Sequence, residues 1–266
     1  MHSYSAPYLF IIFFSFFSIF FQVSYGADDP NYTACSKKFE CGNITNVSYP
    51  FWGKDRPASC GRPGFELNCQ DDVVDMRIGS EIYRVLNITD GLQTLLIAPI
   101  NYACPSQPRN ISMPSDLFNY SSPANQNLFL AYGCPALNAA SNVRQIRCPI
   151  SKIILGSYFA YDSPPLEYSS CEVVVVVPIL KRLLRDLTSL QSTVEDVLKQ
   201  GFEVKYYGNA SFCNICQGSG GECGYNRTIS QPTCFCYNGE YSESCSNRPL
   251  PRPRAPSSTP VTRGKY

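Results

Sequence analysis

The hydrophobic pattern divides the chain into one long apolar run and a series of short alternating segments. Tyr8 to Phe21 is almost unbroken Phe, Ile, Leu and Ser. Ser24-Tyr25-Gly26 then place small residues at the two positions a signal peptidase inspects, so a signal peptide is predicted over 1–26, with cleavage after Gly26. The n-region lacks Lys and Arg, but the run is shorter than the roughly 20 residues a spanning helix needs. Beyond it, Val173 to Leu184 is the most apolar stretch and is broken by Pro178 and by Lys181-Arg182, so no transmembrane segment is expected in the mature chain.

Val73 to Ile78, Glu81 to Ile88 and Leu92 to Ile97 are short and rich in branched or aromatic residues. Gly79-Ser80 and Asp90-Gly91 separate them, which predicts a β-meander. From 105 to 127 Pro, Ser and Asn dominate, and an exposed linker is expected there. Leu128 to Tyr132 resumes the strand pattern, and the five consecutive valines within Glu172 to Ile179 predict a strand buried on both faces. Leu180, Leu183, Leu184, Leu187 and Leu190 recur at helical spacing. Ser192 with Glu195 forms a candidate capping box before Val194, Val197 and Leu198, and Gly201 is placed to end that helix. The expected fold class is mainly β and disulfide-rich. It comprises an N-terminal β-meander module over 27–104 and a second module over 128–245 with a sheet, one helix and a C-terminal cysteine cluster.

The cysteine count places this pattern in an oxidising compartment. All 14 cysteines lie beyond the apolar run, at Cys35, Cys41, Cys60, Cys69, Cys104, Cys134, Cys148, Cys171, Cys213, Cys216, Cys223, Cys234, Cys236 and Cys245. An even number in an exported chain implies up to seven bridges, and metal binding is the weaker reading. Sequons at Asn31, Asn43, Asn46, Asn87, Asn110, Asn119, Asn209 and Asn226 agree with export and predict a glycosylated surface.

Charge and histidine content narrow the chemistry. The single histidine, His2, leaves with the signal peptide, which removes Ser-His-Asp and Cys-His nucleophile systems and the usual zinc hydrolases. No Gly-rich phosphate loop or kinase catalytic-loop pattern is present. Residues 27–245 carry 17 basic and 21 acidic side chains, whereas the Pro-rich tail over 246–266 carries five basic and no acidic ones, at Arg248, Arg252, Arg254, Arg263 and Lys265. Such a tail is expected to be extended and could adhere to a polyanion or serve as a spacer. No cofactor or metal is expected, and nucleic acid is an improbable partner outside the cell.

Several motifs carry a family resemblance. Cys41-Gly42, Ser48-Tyr49-Pro50-Phe51-Trp52, the run Cys60-Gly61-Arg62-Pro63-Gly64-Phe65-Glu66-Leu67-Asn68-Cys69 and Tyr83-Arg84-Val85-Leu86 resemble the galacturonan-binding extracellular module of plant wall-associated receptor kinases. The variant is most similar to the leaf-rust-resistance-type receptor-like kinases. Gly201-Phe202, Cys213-x-x-Cys216, Ser219-Gly220-Gly221-Glu222-Cys223-Gly224 and Cys234-Phe235-Cys236 resemble the cysteine-rich C-terminal module of the same family. Lys205-Tyr206-Tyr207 stands where that family often has a Trp. The chain ends at Tyr266 without the transmembrane helix and kinase of such receptors, which sit at the plasma membrane, so signalling is not carried over. The last six cysteines permit fifteen pairings; their resemblance to an EGF-like module implies Cys213 with Cys223, Cys216 with Cys234, and Cys236 with Cys245.

The resemblance implies homogalacturonan, an acidic pectic polysaccharide, as ligand. Binding it needs cationic donors for carboxylates and flat faces for sugar rings. Trp52, Lys54, Arg56 and Arg62, with Tyr49, supply both, and Lys37 and Lys38 extend the strip. Tyr49, Phe51 and Phe65 have a competing role as core residues beside disulfides, and Lys54, Arg56 and Arg62 as a solvated turn. The leading expectation is a non-catalytic extracellular protein of the apoplast or cell wall that binds pectin, either secreted as such or as the truncated ectodomain of a receptor serine/threonine kinase. The alternatives are an EGF-like module for an apoplastic protein or receptor partner, and a carbohydrase using Asp71, Asp72 and Asp75, whose carboxylates would need a separation of roughly 5 to 9.5 Å.

Overall fold

A computed structural model describes residues 28–100, 108–120, 122–136, 143–146, 156–161, 163–164 and 166–245. The expected signal peptide, the basic tail, Cys104 and Cys148 lie outside the described residues.

The first described element is a helix, α1 (Pro30–Ser36). Asp29 caps it by accepting from the backbone N–H groups of Asn31 and Tyr32, and Pro30 occupies the first turn, where its missing N–H costs nothing. A hairpin of β1 (Phe39–Cys41) and β2 (Ile44–Val47) follows. The meander is β3 (Leu67–Gln70), β4 (Val73–Ile78), β5 (Glu81–Thr89) and β6 (Thr94–Pro99), each antiparallel to the next. Period-two alternation turns Val74, Met76 and Ile78 inward and Arg77 outward. Leu92 does not begin the third meander strand. It is exposed in a 3₁₀ turn over Asp90–Leu92, and Gln93, in the left-handed region at φ 51°, redirects the chain so that pairing starts at Thr94.

The segment expected as an exposed linker is packed over much of its described length. Ile111 and Phe118 are buried, and the Phe118 ring lies 5.1 Å from that of Phe65. Composition overlooks such single anchors because one buried aromatic outweighs several polar neighbours in transfer free energy. Phe118–Asn119 forms β7. A second sheet then comprises β8 (Asn125–Cys134), β9 (Arg144–Ile146), β10 (Gly156–Tyr161) and β11 (Val173–Leu180), in the spatial order β11-β8-β10-β9. The valine strand β11 is therefore an edge strand, not one buried on both faces: Val175 and Val177 are buried while Val174 and Val176 are half-exposed. Pro178, with no N–H for a second ladder, is compatible with that edge, and Asn110 Oδ1 accepts from the Val176 N–H.

The single helix expected from the leucine spacing is interrupted. A 3₁₀ turn over Lys181–Leu183 leads into α2 (Leu184–Thr188), and Leu190, exposed and at φ 60°, ends it. A new helix, α3 (Val194–Lys199), starts with a capping box formed by Thr193 and Asp196, one residue later than Ser192 and Glu195. Thr193 Oγ1 accepts from the Asp196 N–H at 3.1 Å, and Asp196 Oδ2 accepts from the Thr193 N–H at 3.1 Å. Glu195 instead pairs with Lys199 at 2.8 Å. The register follows burial: Val194, Val197 and Leu198 all reach the core. Thr193→Ala is expected to lower unfolding stability by about 1 kcal/mol in urea titration, whereas Ser192→Ala should leave the midpoint unchanged.

Gly201, at φ +74°, stops α3 with its N–H on Leu198 O at 3.1 Å. A Cβ here would collide with the Ile97 carbonyl, so glycine also admits the next strand, β12 (Phe202–Tyr206), to the edge of β6. The first sheet thus runs β3-β4-β5-β6-β12-β7 and contains a strand from each side of 105–127. Its core is continuous as well: Phe51, Phe65, Tyr83, Phe202 and Tyr206 belong to one buried cluster together with Leu128, Val177 and Leu187.

The C-terminal part is a helix, α4 (Ala210–Gly218), and a small sheet of β13 (Glu222–Asn226), β14 (Gln231–Cys236) and β15 (Gly239–Tyr241). Disulfides Cys213–Cys223, Cys216–Cys234 and Cys236–Cys245 hold it, the pairing the EGF-like resemblance implies. Cys35–Cys60, Cys41–Cys69 and Cys134–Cys171 staple the preceding elements, and no described cysteine is free. Phe235 of β14 is buried against the Cys35–Cys60 bridge, and the Asp29 N–H donates to Tyr237 O at 2.9 Å, so the start of α1 and the C-terminal sheet meet along a seam.

Candidate functional site

The cations and rings expected to bind ligand have diverged in the fold. Phe51 and Phe65 are fully buried and pack edge-on, 5.5 Å apart, with Tyr206 at 5.1 Å and 6.0 Å from them. The buried Tyr206 hydroxyl donates to Asp90 Oδ1 at 2.9 Å. Burial, reinforced by the Asp90 charge, pushes the Tyr206 phenol strongly upward in pKa. Tyr49 is also interior, packed among the cysteines of the C-terminal cluster. Desolvation raises its pKa to about 12, with nearby Arg62 opposing the rise. Neither ring is a sugar platform.

Arg56 is the larger departure. It is 1% exposed, and its guanidinium is consumed by backbone carbonyls. Nε donates to Phe51 O at 3.0 Å, Nη2 to Cys60 O at 3.0 Å, and Nη1 to Lys37 O at 2.6 Å and to Cys35 O. It cannot reach a ligand; it clamps the end of α1 to the Phe51–Cys60 segment. Sequence reading missed this because the four acceptors come from two separate stretches of chain.

Lys54, Lys37, Lys38 and Arg62 remain at or near the surface. Lys54 is exposed at φ 51° and donates to Glu40 O at 3.1 Å. Lys37 follows α1, and Lys38 partly offsets the upward pKa shift that burial gives Glu222. Arg62 Nη1 donates to Tyr207 O at 2.6 Å.

Trp52 is half-buried, and its Nε1 donates to Arg62 O at 3.1 Å. One side lies against Gly61, where an added Cβ would come within 2.5 Å of Trp52 Cδ1. Over the ring sits Arg227, with its Cζ 5.0 Å from the centroid. Arg227 comes from the turn between β13 and β14 and is exposed; Nε and Nη2 each contact Ala58 O at 3.4 Å. Its only signal in the sequence was its place beside the Asn226 sequon. Next to it a crevice of about 200 Å³ is lined by Asn31, Ser59, Tyr225, Asn226, Arg227, Phe235 and Glu240.

The other candidate groups have local explanations. Asp71 and Asp72, at φ 50° and 61°, form the two-residue turn between β3 and β4, and Asp75 lies on β4 opposite Arg84. Positive φ at both central positions is the geometry of a type I′ hairpin turn, which Asp tolerates. The sulfurs of Cys234, Cys236 and Cys245 lie within 4.8 Å of one another, but all three are in disulfides and offer no thiolate to a metal. Among the sequons, Asn43, Asn46, Asn87, Asn110, Asn119 and Asn209 are exposed. Asn31 and Asn226 are half-buried, and the Asn226 amide is engaged with Glu240 Oε1 at 2.7 Å.

Fold and site together define a disulfide-stapled, two-module β protein with an aromatic and cationic surface where the modules meet. Residues 35–99 match the family model described as wall-associated receptor kinase galacturonan-binding, and residues 153–239 match that described as wall-associated receptor kinase C-terminal. The chain therefore carries the extracellular modules of the wall-associated receptor kinases, in the leaf rust 10 receptor-like variant. It is 30% identical over 252 residues to Arabidopsis thaliana leaf rust 10 disease-resistance locus receptor-like protein kinase-like 2.4, covering 86% of this chain and 37% of that protein. To the Arabidopsis thaliana members 2.1 and 1.2 it is 28% identical, covering 79% and 82% of this chain and 35% of each relative. The chain thus spans about a third of the length of these relatives. No solved structure matches it. Among the described residues no helix is long and apolar enough to cross a membrane.

Proposed function

We propose that this protein is an exported, glycosylated, non-catalytic module that binds acidic cell-wall polysaccharide, with de-esterified homogalacturonan as the ligand class. The observation that carries the reading is the match of residues 35–99 to a galacturonan-binding module whose surface keeps Lys37, Lys54 and Arg62 without a carboxylate partner among the described residues. Each can meet a uronate at the surface, whereas a catalytic reading has only the aspartates of a hairpin turn. The kinase activity in the relatives' names is not assigned to this chain.

Glycosylated protein is expected to be retained on immobilised polygalacturonate and to elute with salt, because exposed charge pairs are screened within about 8 to 10 Å at 0.1 to 0.15 M. A Lys54→Gln/Arg62→Gln variant should elute at lower salt. Absence of retention, with a wall-associated receptor ectodomain retained on the same matrix, rejects the reading. A protein partner is the second reading, favoured by exposed Ile215, Ile229 and Tyr237 on the cysteine cluster. Pull-down from apoplastic extract after pectinase digestion separates the two, since a protein contact survives the digestion.

A further inference from the structure

We propose that the acidic-glycan site is composite. Arg227, supplied by the C-terminal module, takes a uronate carboxylate, and Trp52, supplied by the galacturonan-binding module, positions that guanidinium. The assignment rests on the polysaccharide reading above and deepens it, by placing a binding residue outside the segment that carries the binding module's family match.

Trp52 has little free ring to offer a sugar. Gly61 backs one side, Arg227 covers the ring, and Nε1–H is spent on Arg62 O. A guanidinium held over an indole keeps its N–H edge available for ligand while the ring quadrupole stabilises its charge. Arg227 has the donors to spare: its two protein contacts, both to Ala58 O, are long at 3.4 Å, and no carboxylate lies within ion-pair distance among the described residues. Glu240, the acidic group of the adjoining crevice, is already held by Asn226 Nδ2 at 2.7 Å and by Thr233 Oγ1 at 2.9 Å.

The surroundings suit an acidic sugar more than a simple anion. Asn31, Ser59 and Tyr225 add neutral hydrogen-bonding groups beside Arg227, and the crevice, about 200 Å³, is on the scale of one sugar unit. Arg62 extends the cationic character along the seam: its carbonyl holds the indole and its guanidinium ties to Tyr207 O, leaving further donors. A polyuronate has regularly spaced carboxylates, and a guanidinium takes one of them by a charge-assisted hydrogen bond.

The test uses the full chain carrying Thr33→Ala and Thr228→Ala, which remove the sequons at Asn31 and Asn226 and leave both asparagines of the crevice unmodified. Affinity for a de-esterified oligogalacturonate is measured by calorimetry. Arg227→Gln is expected to weaken binding roughly tenfold or more, with thermal midpoint unchanged. Trp52→Ala should weaken it as much, the double variant no further, and Trp52→Phe should keep most of the affinity because a ring still supports Arg227. Trp52 is the only tryptophan of the chain, so its emission should shift on titration of the wild type and much less in Arg227→Gln. Wild-type affinity in Arg227→Gln, with binding otherwise intact, overturns the composite site and leaves the polysaccharide reading standing. Additive losses from Trp52→Ala and Arg227→Gln overturn the positioning role. No binding by the wild type overturns the site together with the reading beneath it.

Discussion

Arg56→Met is expected to cost about 3 kcal/mol or more, because several buried carbonyls lose their donor at roughly 1 to 3 kcal/mol each. Total stability of a domain this size is about 5 to 15 kcal/mol, so the yield of folded protein should collapse. The loss arises less from the departing charge than from what stays behind. The carbonyls of Cys35, Lys37, Phe51 and Cys60 all accept from the guanidinium, and an apolar side chain leaves three of them, those of Cys35, Phe51 and Cys60, as buried acceptors without that donor. Arg56→Lys should fail almost as badly, because a point charge with three donors cannot reproduce a planar fork serving four acceptors. Burial lowers the Arg56 pKa from 12.5 to about 10. A depressed base costs stability wherever it is charged in both states, and that cost is relieved only as pH rises through about 10. Arg56 therefore adds no pH dependence across the acidic to neutral range. Urea midpoints of surviving protein check the effect, and a loss below about 1 kcal/mol would sink the clamp assignment.

Gly221→Ala is expected to be of similar size, about 3 kcal/mol or more from overpacking and lost disulfide stabilisation. The glycine sits against two disulfides: an added Cβ would lie 2.7 Å from Cys245 Sγ, 2.9 Å from Cys216 Sγ and closer still to Cys234 Sγ. Cys216 lies in α4 and Cys234 and Cys236 lie in β14, which restrains both bridges from moving away. The neighbouring glycine makes the contrast. Gly220 has nothing within 4 Å of its would-be Cβ but stands at φ +83°. Gly220→Ala should then cost only the left-handed backbone penalty, about 1 to 2 kcal/mol. Thiol counting and mass mapping of the purified variants distinguish the two: Gly221→Ala should show free or mispaired Cys216, Cys234, Cys236 or Cys245, and Gly220→Ala should not. Native pairing at wild-type yield in Gly221→Ala would refute the account.

Local chemistry made much of the fold legible. The β4 and β5 strands, the glycine that ends α3 and the presence of a capping box all follow from interactions within a few residues of one another. The errors lie where distant chain decides. Thr193 displaced Ser192 as cap because the helix register is set by which valines reach the core, and a shift of one residue is invisible to composition. The valine strand β11 is an edge because, among the described residues, only β8 pairs with it in the four-stranded sheet. Ile111 and Phe118 turned an expected linker into a packed segment because both docked onto the core.

The site divides in the same way. The sequence alone determined that aromatic rings and guanidinium groups would be concentrated around Trp52, because residue type and spacing are local properties. Tertiary structure decided what each of them does. Arg56, Arg62 and Arg227 are chemically identical, yet one clamps four backbone carbonyls, one is half-exposed on a single backbone oxygen, and one lies over an indole far away in sequence. Burial, acceptor geometry and the cation–π contact are pairwise quantities between remote segments, and they come into being only when those segments pack together.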